Sequence, residues 1–195
     1  MADDPTHTYL RESLDVIVRC GYGSEADAME QFLEQARDEL DAWEDEAALA
    51  PWRAEAEQAF AQQREREASW TGESHNDRID RAFAALSERG IVALQDAGYT
   101  MSDGWSDVRD ARDDHPQAFA ATFFHRQDVE RAVDGGGLLL AFGAFADGDA
   151  HAQESLRAAR IICDTLAEHG VSTSWDGSLN QRIAIDPFEW RRRRR

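Results

Sequence analysis

The residues able to do polar chemistry in this chain stand at the ends of short apolar runs. Asp96 follows Ile91–Leu94, His125 follows Phe119–Phe124, Asp147 and Asp149 follow Leu138–Phe142, and Asp176 follows Val171–Trp175. In an open parallel sheet, ligands bind beyond the carboxyl ends of the strands. If the four runs are parallel strands, they set Asp96, His125, Asp147 and Asp176 along one rim. An imidazole among carboxylates can serve as a general base or hold a metal ion. The same residues also have plainer uses. Asp147 and Asp149 precede a helical pattern as caps do, Asp176-Gly177 is turn chemistry, and His125 can simply end a strand.

Other patterns narrow the chemistry further. Asp147-Gly-Asp149-Ala-His151 lacks the later bidentate Glu of a calcium loop, and Gly135-Gly-Gly137 precedes a strand, where a phosphate-binding turn would follow one. There is no nucleophile elbow, HExxH run or paired-cysteine zinc spacing. All 21 basic residues are Arg, which removes Schiff-base chemistry and the P-loop lysine. No catalytic residue, metal or cofactor is therefore assigned, and the His125 rim stands as the enzyme or ligand-binding alternative. The leading surface feature is Tyr99–Asp107. Tyr99, Met101 and Trp105 among Asp103 and Asp107 suit an interface anchor for a basic protein, while Trp105 can equally pack its helix onto a sheet.

The elements that must position these groups follow from periodicity. Leu10, Leu14, Ile17 and Val18 form one helical face that Gly21 and Gly23 stop. Ser24 caps a longer helix running through Met29, Phe32, Leu33, Ala36, Leu40, Trp43 and Ala47. Pro51 marks a third helix, with a thinner stripe of Trp52, Ala56, Ala59 and Phe60. From Asp77 onward helices and strands alternate. Helices are expected from Asp77 to about Leu86, behind Asp103, over Gln127–Val133 and over Ala150–His169. Strands are expected at Ile91–Leu94, Phe119–Phe124 and Leu138–Phe142, closed by a hairpin of Val171–Trp175 with Arg182–Ile185. The predicted class is α/β: a helical segment 1–76, then a domain 77–190 with a small mixed, mainly parallel sheet, and an arginine tail 191–195. The 13 residues His125–Gly137 are near the minimum for a parallel crossover, so one strand can run antiparallel instead.

The runs Asp77-Arg-Ile-Asp-Arg-Ala-Phe-Ala-Ala-Leu86, Gly98-Tyr-Thr-Met-Ser-Asp-Gly-Trp105, Gly135-Gly-Gly-Leu-Leu-Leu-Ala-Phe-Gly143 and Trp175-Asp-Gly177, with Trp190 near the end, are the distinctive ones. Together they resemble an uncharacterised bacterial family labelled only as a domain of unknown function, over about residues 77–193. The resemblance supports the α/β reading and implies no activity. Relatives carry a cysteine cluster after the first strand. Here that place is Asp96–Thr100, so no metal role attached to the cluster carries over.

Composition sets the partners. The chain has 195 residues, 39 Asp and Glu against 21 Arg, and a formal charge of -18. The acidity is spread over both halves, net -13 in residues 1–76 and -10 in 77–190, and only the tail is basic. Capture of nucleic acid or an anionic membrane is disfavoured, and a basic partner is favoured. No run approaches the roughly 20 apolar residues of a membrane helix, and the acidic first residues do not read as a signal peptide. Cys20 and Cys163 sit in apolar helical patterns as buried hydrophobes. The arginine-only basic set fits a GC-rich, bacterial genome, and the location expected is cytoplasmic. The expected function is a non-enzymatic interaction module of inhibitor or immunity type. The N-terminal stripes, too wide to stay in water, are expected to dock on the α/β domain or to form a homodimer. A solvated tail is the expectation for the terminal arginines.

Overall fold

The computed structural model describes residues 4–43 and 45–194. The chain divides into two compact units, one comprising Met1–Gly72 with Arg191–Arg195 and the other Glu73–Trp190.

The first unit is helical because each helix has its own start signal. Asp4 accepts from the Thr6 N–H and Pro5 opens α1, Pro5–Cys20, which Gly21 ends in the left-handed conformation. A reciprocal capping box between Ser24 and Asp27 opens α2, Glu25–Glu39. Asp45 accepts from the N–H groups of Ala47 and Ala48 to open α3, Glu46–Ser69. Pro51 therefore lies inside α3 instead of starting it, since Asp45 nucleates the helix earlier. Trp43 falls beyond the end of α2 and is 57% exposed, although the periodicity had placed it on the apolar stripe. The three stripes bury against one another: Leu10, Leu14, Phe32, Leu33, Leu49, Trp52 and Phe60 share a core. Each large side chain so buried contributes about 1.5–3 kcal/mol.

The second unit is the α/β part. Its elements are α4 His75–Glu88, β1 Ile91–Leu94, α5 Met101–Asp114, β2 Ala120–Phe123, α6 Arg126–Val133, β3 Leu138–Ala144, α7 Asp149–Glu168 and β4 Ile183–Ile185. The four strands form one sheet in the order β1-β2-β3-β4. β1 and β2 are parallel, whereas β2–β3 and β3–β4 are antiparallel. The expected α/β class holds, and the sheet is mixed, but it is not mainly parallel. The link from β2 to β3 spends its length on the eight residues of α6 and a glycine turn, and what remains is too short for a crossover. The expected C-terminal hairpin is reduced to a single antiparallel bridge, Ser174 to Ala184, while β4 itself pairs with β3.

Alternation along the strands divides the core between two faces. Val92, Ala121, Phe123 and Ala141 turn toward α5, together with Met101, Trp105 and Val108. Gly104 lets that helix approach closely, because a Cβ there would lie 2.2 Å from the Phe123 ring. On the other residues of the strands, Phe124 meets Phe83 of α4 edge to face at 5.7 Å, α4 packs on β1, and α7 packs on β3. The buried Ser155 hydroxyl accepts the Ala144 N–H at 2.9 Å and so fixes α7 against β3.

Candidate functional site

Strand direction decides which candidate residues meet. β1 and β2 run the same way, so Asp96 and His125 leave the sheet at one end. β3 runs the other way, and Asp147 and Asp149 therefore emerge at the opposite end, exposed. Asp176 is also exposed, and its carboxylate is held in its own turn by the Ser178 N–H at 2.9 Å and the Ser178 hydroxyl at 3.0 Å. The four-residue rim is thus divided by the antiparallel turn of β3. Neither Asp147 nor Asp149, the first residue of α7, caps that helix: Gly148 occupies the cap position and no side chain bonds there.

The half of the rim that remains is a fixed ionic network. His125 is the N-cap of α6, its Nδ1 accepting the Asp128 N–H at 3.3 Å, and the Asp128 carboxylate reaches back to the His125 N–H at 3.3 Å. His125 Nε2 faces Asp128 Oδ2 at 3.2 Å, and Arg182, just before β4, donates to both Asp128 oxygens at 2.8 and 2.9 Å. His125 and Asp128 are only 5% and 2% exposed. Burial, aided by the nearby Arg182 charge and opposed by Asp128, pushes the imidazole below its ordinary range. A neutral ring accepting at Nδ1 carries its proton on Nε2, facing Asp128. Beside it Asp96, at φ 54°, pairs with Arg126 at 2.6 Å. Both ring nitrogens of His125 are directed to Asp128, so the arrangement ties α6 to β4 and leaves this histidine no free base.

The Tyr99–Asp107 segment divides by depth. Thr100 caps α5 and Asp103 completes the capping box, its carboxyl held below its ordinary range by the Thr100 N–H and hydroxyl. Met101 and Trp105 hold the helix down, Trp105 lying edge to face on Phe123 at 5.1 Å. Tyr99 remains 55% exposed, and Asp103 and Asp107 face solvent. The helix opens at Thr100, ahead of the expected cap Asp103, and ends at His115 where His115-Pro116 is expected to close it, so its outer face carries a longer acidic set. Asp103, Asp107, Asp110 and Asp114 recur at spacings of four, three and four, all exposed, on one face of α5. With 1.5 Å per residue this stripe is about 16 Å long. Arg112, on the inner side, lies over the Phe145 ring at 4.2 Å. Elsewhere carboxylates take arginine partners, as in Glu25–Arg64, Glu55–Arg11 and Glu168–Arg89. Among the described residues, no ion pair neutralises Asp107, Asp110 or Asp114. Asp110 and Asp114 continue Asp103 at i+7 and i+11, a face legible in a helix that closes at His115-Pro116. At the far end of α5 a cleft of about 300 Å³ lies between Glu88, Ile91, Asp114, His115 and Gln117.

Among the described residues, no group of three or more His, Cys, Asp or Glu side chains is placed to hold a metal ion. Among the described residues, no helix is long and apolar enough to cross a membrane.

The chain belongs to a family defined by a domain of unknown function (DUF6891), whose family model matches residues 3–194. The match takes in the N-terminal helices as well as the α/β part, beyond residues 77–193. No curated protein and no solved structure matches the chain.

Proposed function

We propose that the protein is a non-enzymatic interaction module of the bacterial cytoplasm, of inhibitor or immunity type, that docks a basic protein on the outer face of α5. The observation that carries this reading is the stripe Asp103, Asp107, Asp110 and Asp114, unneutralised along most of its length and headed by the exposed Tyr99. Four like charges on one helix face cost folding stability through mutual repulsion, a cost that a cationic partner surface removes. Tyr99 supplies the rigid amphipathic anchor found at interface hot spots, and the carboxylates steer a cationic surface toward it. Met101 and Trp105 serve the same surface from beneath by fixing α5 to the sheet. The His125 network contributes rigidity to the Gly98–Thr100 loop, since the N–H groups of Arg126 and Gln127 are bonded to the carbonyls of Gly98 and Tyr99.

Affinity capture from the native host at low and high salt tests this reading, with a variant carrying Asp107→Asn, Asp110→Asn and Asp114→Asn run in parallel. The expected result is a specific basic protein retained by the wild type at low salt, released by salt and lost from the variant. Retention of an acidic, salt-insensitive partner, or equal capture by the variant, contradicts it.

A further inference from the structure

The described arginines of the terminal run, Arg191–Arg194, are not a solvated tail, and Arg195 lies outside the described residues. Arg191–Arg195 belong to the helical unit, and Arg194 sits at the C-terminal end of α1. Its Nη2 donates to the Ile17 carbonyl at 2.7 Å, and its Nη1 donates to the carbonyls of Tyr22 at 2.5 Å and Gly23 at 3.2 Å. The guanidinium carbon lies 5.4 Å from the centre of the Phe60 ring, and the Arg194 N–H is bonded to Glu67 at 3.2 Å. The last carbonyls of a helix lack partners within it, and the negative end of the helix dipole is concentrated there. A planar cation that donates to several of them at once, with an aromatic face beside it, answers both needs.

The niche is shaped for that ion. Gly21, at φ 73°, turns the chain out of α1 and leaves room for the segment to cross, since a Cβ there would stand 2.7 Å from the Arg192 carbonyl oxygen. The Ile17 and Tyr22 carbonyls are reached by different nitrogens of one guanidinium. A lysine ammonium, a single point donor, does not span two such positions while lying over a ring. The segment that delivers Arg194 has no helix or strand of its own; Arg192 lies over Tyr22 at 4.0 Å and the Arg193 side chain donates to the Trp70 carbonyl at 3.0 Å. An occupant without backbone pairing in a ladder can be replaced by another of the same chemistry.

We propose that the carbonyl niche at the end of α1 is an arginine-binding site, filled in cis by Arg194, and that an arginine-rich segment of another polypeptide can take its place. Tethering keeps the internal occupant at an effective concentration on the order of millimolar, so the intact chain resists exchange and a chain without the internal arginines accepts the external ligand. The site belongs to the helical unit and does not depend on the α5 surface.

The test uses the full chain with Arg192→Ala, Arg193→Ala and Arg194→Ala, titrated by calorimetry with hexa-arginine amide and hexa-lysine amide beside the wild type. The variant is expected to bind the arginine peptide at least about tenfold more tightly than the lysine peptide, and about tenfold more tightly than the wild type does. Equal binding of the two peptides shows attraction by net charge alone and overturns the site. So does a folded variant that binds neither. If circular dichroism finds the triple variant unfolded, the single variant Arg194→Ala is used with N-acetyl-arginine amide and N-acetyl-lysine amide. A rise in its melting temperature with the arginine compound only supports the site, and no difference between the two overturns it. Because Asp107, Asp110 and Asp114 are intact in all these chains, failure here leaves the α5 reading standing.

Discussion

At the scale of single residues, the buried Asp128 has the largest consequence. It receives Arg182 through both oxygens, accepts the His125 N–H and faces the His125 ring. Asp128→Ala leaves Arg182 without its carboxylate and α6 without its reciprocal cap, and is expected to cost about 3 kcal/mol in urea unfolding. Loss of under about 1 kcal/mol would place the network outside the folding energetics. His125 makes that network sensitive to pH. In the folded chain it resists protonation, whereas in the unfolded chain it takes a proton near its ordinary 6.5. The unfolded state then binds more protons in that window. Stability is complete above it and falls as pH drops below about 6.5. His125→Asn keeps a capping acceptor and removes the titration, so its stability should be flatter with pH there. A slope unchanged from wild type assigns the pH dependence to other groups. The sequence made His125 conspicuous but not Asp128, which reads as an ordinary third residue of a helix. Its partner Arg182 lies 54 positions away, a pairing that periodicity cannot supply.

Element boundaries were largely legible, because caps and strand runs are local chemistry. The capping box at Ser24 and the strand Ile91–Leu94 lie where periodicity and side-chain type point, whereas the box at Ser74 opens α4 two residues ahead of the expected start at Asp77. Strand direction was legible only as the antiparallel alternative that the short His125–Gly137 link allows, and with β3 reversed the rim that would have joined Asp147 and Asp176 to His125 is lost. The most informative element is α5, whose outer acids and inner Trp105 are set by one helical repeat. Thr100→Ala removes the cap and should cost about 1 kcal/mol. Gly104→Ala should cost about 2 kcal/mol, because the new methyl meets the Phe123 ring and the helix must lift. Both costs are read from denaturant midpoints at unchanged slope. If Gly104→Ala is neutral, α5 does not lie as close to the sheet as described.

For the whole molecule, the chain leaves the helical unit at Gly72 and returns to it at Arg191. The ends of the α/β unit are fastened to each other, His75 stacking on Phe188 at 5.4 Å and accepting the Glu189 N–H at 2.9 Å. Composition alone made three helices of about 70 residues look marginal, and suggested docking or a homodimer to cover them. The returning arginines add to what holds those helices, and no local pattern connects them to α1. Hydrogen exchange on the chain with Arg192→Ala, Arg193→Ala and Arg194→Ala should speed up around Ile17–Ser24 while β2 and β3 keep their protection. A uniform rise across both units would contradict the division. The central claim, that α5 docks a basic partner, is tested most directly by the association rate of the captured partner as a function of salt. The wild type should show an association rate that falls steeply with ionic strength, and the variant with Asp107→Asn, Asp110→Asn and Asp114→Asn a slower, flatter dependence. Identical salt dependence in the two chains would contradict it.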